Sequence, residues 1–210
     1  MVAKKLNKKI NYQAKKYSLP VIKSLMQKIA AQNAIPQEVN NTWKHSQVVY
    51  NFAKKIAHLA IENGFLVNLD YLKPASFVHD IGRMKTGSPG SKEIEPAIYH
   101  GLRGYNILKK EGYPESLARI CLVHLGGAGL DKKTNQKYGI FKNRNTLAET
   151  IEEKIIAYAD MRTSFDQKKK KPVISSFKKA YQRFKKYPRL GPKINKNHQF
   201  IKKITNHQIT

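Results

Sequence analysis

His79 and Asp80 stand side by side after the apolar Phe77-Val78 and before Ile81-Gly82-Arg83. An imidazole next to a carboxylate offers a divalent cation a nitrogen and an oxygen donor from one short stretch of chain. Four residues of the same kinds flank the pair: His45 upstream, His100 and His124 downstream, and Asp160 beyond them. Each lies in or beside an apolar helical pattern, where a polar group without a partner is expensive. A divalent metal held by imidazoles and carboxylates, with positions left open, can activate water and neutralise phosphate oxygens. Two ions roughly 3.5–4 Å apart can clamp both the attacking and the leaving oxygen. Six ligands suit that plan, with His45, His79 and Asp160 on one ion, His100 and His124 on the other, and Asp80 bridging. A single ion, with His100 and His124 turned to substrate phosphate, is the competing arrangement, and a buried hydrogen-bonded polar trio is the ordinary one. The absence of thiolates from the set favours iron, manganese or a similar divalent transition ion over structural zinc.

Three cations stand close enough in sequence to serve such a site. Arg83 follows Asp80 by one helical turn and either reaches a substrate phosphate or caps a helix end. Arg103 stands in the same relation to His100, as a phosphate contact or a surface ion pair. Lys154 precedes Asp160 by six residues, which is not a shared helix face, so phosphate contact competes with a structural salt bridge. Asp80, Arg83 and Lys154 are thus the expected catalytic groups, with Arg83, Arg103 and Lys154 as substrate-binding cations. His58 reads as a core or surface residue, Cys121 as core filler, and His198 and His207 as inert residues of the tail.

Helices must position these side chains. Apolar residues recur at helical spacing along most of the chain, with no convincing alternating strand and no internal repeat. A first helix is expected from Ser18 to Gln32, with Pro20 early in it. A second, Asn41 to Asn63, has Thr42 as its cap and Gly64 as its stop, and carries His45. Tyr71 to Arg83 forms a third, which delivers His79 and Asp80. Turn residues from Thr86 to Ser91 make a loop placed to gate a substrate. Glu95-Pro96 then opens a helix to about Lys110, and Pro114 stands near the start of the one bearing Cys121 and His124. Gly126 to Asn145 reads as a long polar loop. Leu147 to Phe165 is expected as one helix with Glu149, Glu152 and Glu153 in its first turn, as the dipole prefers. After Lys168 to Lys171 and Pro172 comes a last amphipathic helix with Val173, Ile174, Phe177, Tyr181 and Phe184 on one face, and Tyr187 beyond. Residues after Gly191 are expected to be weakly ordered. The fold class is all-α.

The 210 residues carry a net charge of +26, but unevenly. Residues 1–30 hold eight lysines and no acid, and residues 167–210 hold fourteen Lys or Arg and no acid. The middle of the chain is close to neutral, so its chemistry is separable from whatever the ends bind. This divides the chain into a basic N-terminal segment with one helix (1–39), a central domain (40–166) and a basic C-terminal helix with its tail (167–210). The ends fit solvated faces or a non-specific nucleic-acid contact, which would weaken steeply with salt. One cysteine excludes an internal disulfide, and neither a membrane span nor a secretory leader is readable, so a cytoplasmic location is expected.

The order His45, His79-Asp80, Asp160 resembles the HD-domain superfamily of metal-dependent phosphohydrolases, and His79-Asp80-Ile81-Gly82 resembles its HDIG variant. The similarity extends to His100-Gly101-Leu102-Arg103-Gly104-Tyr105, to His124-Leu125-Gly126-Gly127-Ala128-Gly129, and to the stretch Glu152 to Asp160, and it covers Asn40 to Phe165. The resemblance implies a helical bundle with the metal site at its centre and basic helices added at both ends. It implies hydrolysis of a phosphoester or phosphoanhydride in a nucleotide or related phosphorylated metabolite. His100 and His124 resemble the branch with two metals; the lack of Gly-Tyr-Pro after His-Asp argues against its cyclic-dinucleotide members. An RNA-directed phosphodiesterase using the basic ends is the runner-up, and a non-catalytic nucleotide- or RNA-binding module the third reading.

Overall fold

The computed structural model describes residues 17–88, 97–184 and 189–209. The basic residues 1–16, the gating residues Pro89 to Ser91, the helix start at Glu95-Pro96, and Tyr187 lie outside the described residues. The architecture is the expected all-α bundle, and among the described residues no helix is long and apolar enough to cross a membrane.

Helix α1 (Leu19–Gln32) has proline in its first turn, where no backbone donor is needed, and buries Ile22, Leu25, Met26 and Ile29. Helix α2 (Gln37–Glu62) is the spine of the bundle. It begins well before Thr42, which is not a cap: inside the helix, its hydroxyl donates to Glu38 Oε1 at 3.1 Å. Buried Val49, Ala53, Ile56, Ala57 and Ala60 form its inner stripe. Helix α3 (Leu69–Val78) is capped by the Asn68 side chain, which accepts from the Tyr71 amide.

The expected single helix over Tyr71 to Arg83 is interrupted. It stops at Val78, turns through His79–Gly82, and resumes as the one-turn α4 (Arg83–Thr86). The cause is tertiary. A Cβ on Gly82 would lie 1.8 Å from the His100 carbonyl oxygen, so only glycine lets the turn press against α5 (His100–Lys110). Helix α6 (Glu115–Val123) also packs closely on α5, with Gly104 against Cys121. Cys121 is fully buried core, and its thiol donates to the Val78 carbonyl.

The expected loop after Gly126 contains structure. Strand β1 (Gly129–Leu130) pairs antiparallel with β2 (Thr146–Leu147), and α7 (Lys132–Lys137) lies between them. Asp131 caps α7, and buried Asn135 donates to the Arg144 carbonyl at 2.9 Å, which folds a polar sequence onto itself. Helix α8 (Ile151–Arg162) starts with a capping box between Thr150 and Glu153, later than expected, and runs through the core. Its expected C-terminal residues instead form β3 (Thr163–Asp166), paired antiparallel with β4 (Lys171–Ile174). Val173 and Ile174 therefore belong to a strand, and α9 (Phe177–Phe184) starts after them.

The weakly ordered tail expected after Gly191 is instead α10 (Gly191–Ile204). Ile194, Asn197, Ile201 and Ile204 recur at helical spacing and are buried. Asn197 donates to the carbonyls of Gly127 and Lys154, tying α10 to the chain after α6 and to α8. His198 is not inert: its ring stacks 3.6 Å from that of Phe177 and its Nδ1 lies 2.9 Å from the Tyr158 hydroxyl. Burial holds its pKa down to about 4, helped by Lys202 and Arg162, so it packs as a neutral ring.

Candidate metal centre

Five elements deliver the six His and Asp residues to one place. His45 comes from α2, His79 and Asp80 from the turn after α3, and His100 from the start of α5. His124 ends α6, and Asp160 lies in the last turns of α8. Two groups form, His45 with His79, Asp80 and Asp160, and Asp80 with His100 and His124. Within each, the donor atoms all lie within 4.8 Å of one another.

Asp80 belongs to both groups because its two oxygens face opposite ways. Oδ2 lies 3.5 Å from the Nε2 atoms of His45 and His79. Oδ1 lies 3.1 Å from His100 Nε2 and 3.4 Å from His124 Nε2. Asp160 Oδ1 adds contacts of 2.9 Å to His45 and 3.5 Å to His79. His79, Asp80 and His124 are buried, whereas His45 and Asp160 are partly exposed and mark the accessible edge.

The backbone fixes the tautomers. His79 Nδ1 lies 2.8 Å from the Ser76 carbonyl, and His124 Nδ1 lies 3.0 Å from that of Ile120. A carbonyl only accepts, so both Nδ1 atoms donate, and in the neutral rings both Nε2 lone pairs face the cluster. Among the described residues, His79 Nε2 and Asp80 Oδ1 are buried without a hydrogen-bond partner. A buried ring nitrogen and a buried carboxylate oxygen without partners are costly, and a cation between them removes that cost. The donor set therefore fits a divalent metal.

Charge is strongly redistributed within the cluster. Burial opposes ionisation of Asp80, but Arg83 and His79 hold its carboxyl well below the usual range. Asp160 is likewise held low against burial by His45 and His79. Burial works against a charged His79, yet Asp80 and then Asp160 lift it to about 10. At His100 burial wins over Asp80, and its pKa falls.

The three expected cations separate. Arg83 is at the site: its Nε donates to Asp80 Oδ2 at 2.6 Å and its Nη1 to Ser88 Oγ at 3.1 Å. Arg103 is half-buried on α5, one turn beyond His100. Lys154 is not brought to the cluster. Its ammonium lies 4.6 Å from the centre of the Phe200 ring on α10, because six residues rotate α8 well away from the Asp160 face. Sequence reasoning missed a chain behind Arg83, in which Ser88 donates to buried Glu38. Glu38, Thr42 and His45 recur at four and three residues along α2, a shared face that could have exposed them. It also missed Arg183, which donates to the carbonyls of Met161 and Thr163 beside Asp160.

The HD-domain family model matches residues 42–163, which contain all six residues. The chain belongs to the HD-domain family. It is 34% identical over 171 residues to an uncharacterized protein of Methanocaldococcus jannaschii, spanning 78% of this chain and 83% of that one. A tRNA (cytidine(56)-2'-O)-methyltransferase of Picrophilus torridus is 34% identical over 59% of this chain, which covers 32% of the enzyme. Its counterpart in Thermoplasma volcanium is 28% identical over 76% of this chain, covering 43% of that protein. The chain thus spans less than half of either methyltransferase. The crystal structure of the HD domain of the L. monocytogenes phosphodiesterase PgpH superposes with a TM-score of 0.50 at 22% identity, over 88% of this chain and 95% of that domain. This last likeness carries the fold. Family and cluster together make this HD domain a metal-dependent phosphohydrolase in the general sense.

Proposed function

We propose that the protein hydrolyses a phosphoester or phosphoanhydride bond in a nucleotide or related phosphorylated metabolite, with two divalent transition ions such as iron or manganese. The observation that carries this reading is the division of Asp80, whose Oδ2 faces His45 and His79 while Oδ1 faces His100 and His124. His45, His79 and Asp160 would hold one ion, His100 and His124 the other, and Asp80 both. The ions would supply an activated water at neutral pH and positive charge against the phosphoryl oxygens. Arg83 orients Asp80 through Nε, donates to Ser88 through Nη1, and would offer Nη2 to a phosphate oxygen. Arg103 is the second candidate for a substrate contact; Lys154 has no place in this reading. The partly exposed edge formed by His45 and Asp160 would admit substrate, and the buried floor of His79 and His124 would exclude bulk water.

Elemental analysis of protein purified without chelator, paired with turnover of nucleotides and dinucleoside polyphosphates, tests the reading. Two equivalents of metal, falling to one in His100→Ala or His124→Ala together with activity, are expected. One equivalent retained in both variants would overturn the two-ion arrangement. Hydrolysis untouched by Asp80→Ala would overturn the whole proposal.

A further inference from the structure

We propose that the groove between α2 and α3, extended by the β3–β4 hairpin, binds the phosphate backbone of single-stranded nucleic acid. The groove encloses about 550 Å³, and its walls include Lys44, Lys73 and Lys171 together with Tyr50, Phe77 and Pro172. No carboxylate lines it among the described residues. A second groove continues it, sharing Tyr50 and Lys73 and adding Lys54 and His58, with one carboxylate, Asp70, in its lining.

Lys44, Gln47, Asn51, Lys54 and His58 recur at three and four residues and so form one stripe along α2. Fourteen residues at 1.5 Å each make that stripe about 21 Å long. At the 3.4 Å spacing of one stacked strand, this spans about six phosphates. Three lysines outside the groove pair with acids: Lys28 with Glu111, Lys109 with Glu115, Lys193 with Asp131. Among the described residues, Lys44, Lys54, Lys73 and Lys171 have no such partner. In a chain with fourteen acids against forty Lys and Arg, cations gathered into a groove without counter-charge suit a polyanion.

The hairpin distinguishes a nucleic-acid strand from other polyanions. Phe165 is 57% exposed, an aromatic ring the core does not use. It stands directly opposite Pro172 in the antiparallel pair, and opposite residues share a face. Pro172 lines the groove, so Phe165 stands at its margin as a stacking platform for a base. The hairpin tip presents Lys168 to Lys170, and Asp166 Oδ1 fixes the turn by accepting from the Lys168 and Lys169 amides at 2.9 and 3.0 Å. Cations that track a backbone beside aromatics that stack on bases favour single strands of any sequence. Binding at this surface does not depend on what the metal centre cleaves.

The test is fluorescence anisotropy with labelled single-stranded RNA and DNA of about 12 nucleotides, from about 50 to about 300 mM salt. Each lost phosphate contact lowers the log–log salt slope by about 0.7, so Lys44→Glu/Lys73→Glu/Lys171→Glu should lower it by about 2. Lys132→Glu/Lys133→Glu/Lys137→Glu on α7 makes the same change in net charge and should keep the wild-type slope. Phe165→Ala should weaken binding about 5-fold to 150-fold with the slope unchanged. If the groove triple fails to fold, Lys→Gln at each position singly should remove about 0.7 of slope apiece. Equal losses in the groove and α7 triples would reduce the effect to bulk charge and overturn the proposal. So would phosphatidylserine vesicles that bind through the groove where neither strand binds.

Discussion

Gly82→Ala adds one methyl group at the most constrained point of the centre, and its effect can be worked out from contacts. The new Cβ would lie 1.8 Å from the His100 carbonyl oxygen and 2.6 Å from the Gly104 amide nitrogen. Both are backbone atoms, so no rotamer change relieves them. Since Cβ contacts below 3.0 Å are essentially never seen, the turn and the start of α5 must part by about 1.2 Å. Gly82 has ordinary helical angles, φ −63° and ψ −20°, so dihedral strain adds nothing and the whole effect is steric. Overpacking of this kind costs about 1–3 kcal/mol of stability. The larger consequence is geometric: Asp80 lies two residues before Gly82, and His100 Nε2 lies 3.1 Å from Asp80 Oδ1. Separating them by about an ångström exceeds the roughly 0.2 Å tolerance of metal–ligand distances several times over. Metal should therefore leave the His100–His124 side first, with affinity falling about 10-fold to 100-fold or more. His45 and Asp160 come from α2 and α8, which Gly82 does not press against in this way, so on the two-ion reading their side should lose its ion later. Elemental analysis after dialysis against chelators of graded strength, with urea unfolding of the same samples, reads both effects. A Gly82→Ala protein with wild-type metal content and an unchanged urea midpoint would refute the steric argument.

Further outcomes follow from the same contacts. In chelator-treated protein, His79 is lifted from 6.5 to about 10, so the stability it contributes is complete below about pH 6.5 and lost as pH rises toward 10; thermal midpoints that stay flat or climb across that window would contradict it. Metal must displace the His79 proton, so metal uptake at pH 7 should acidify a weakly buffered solution, as read by a pH indicator during titration. Arg83→Gln should weaken metal binding about 10-fold to 100-fold, because it removes the donor that orients Asp80, and should still lower kcat by about 10²-fold or more once metal is saturating, because it removes a charge at the phosphoryl group. His198→Ala should cost about 1–3 kcal/mol in urea unfolding by opening the stack on Phe177 and leaving the Tyr158 hydroxyl with one partner fewer. Lys154→Ala should leave metal content and turnover intact and show only a small loss of stability from its contact with Phe200.

What could be read in the sequence was what depends on residue type and order. His45, His79, Asp80, His100, His124 and Asp160 stood out because few other roles suit those side chains in apolar surroundings, and folding brings them together. What could not be read was set by contacts distant in sequence. Nothing local ends a helix at Val78; the close passage of Gly82 past α5 does. Lys154 was misplaced because its neighbour is Phe200, 46 residues away and in a helix not expected to exist. Helix α10 went unseen because Ile194, Ile201 and Ile204 are spaced among lysines, asparagines and a histidine, which dilute the apolar signal. Strands of two residues, such as β1 and β2, carry no periodicity at all.

The hold of α10 on the rest of the molecule bears on how the protein can be divided. The segment that matches the family ends at residue 163, yet the Asn197 amide joins the chain after His124 to the helix that carries Asp160. A fragment cut at residue 163 would present a bare apolar face on α8 and two carbonyls stripped of their donor. The segment that the family model matches is therefore shorter than the unit that packs together, and similarity to the M. jannaschii protein likewise runs over 171 residues. Any transplant of this centre into another chain, or any minimal version of it, has to take residues through Ile209, itself buried, along with the ligands.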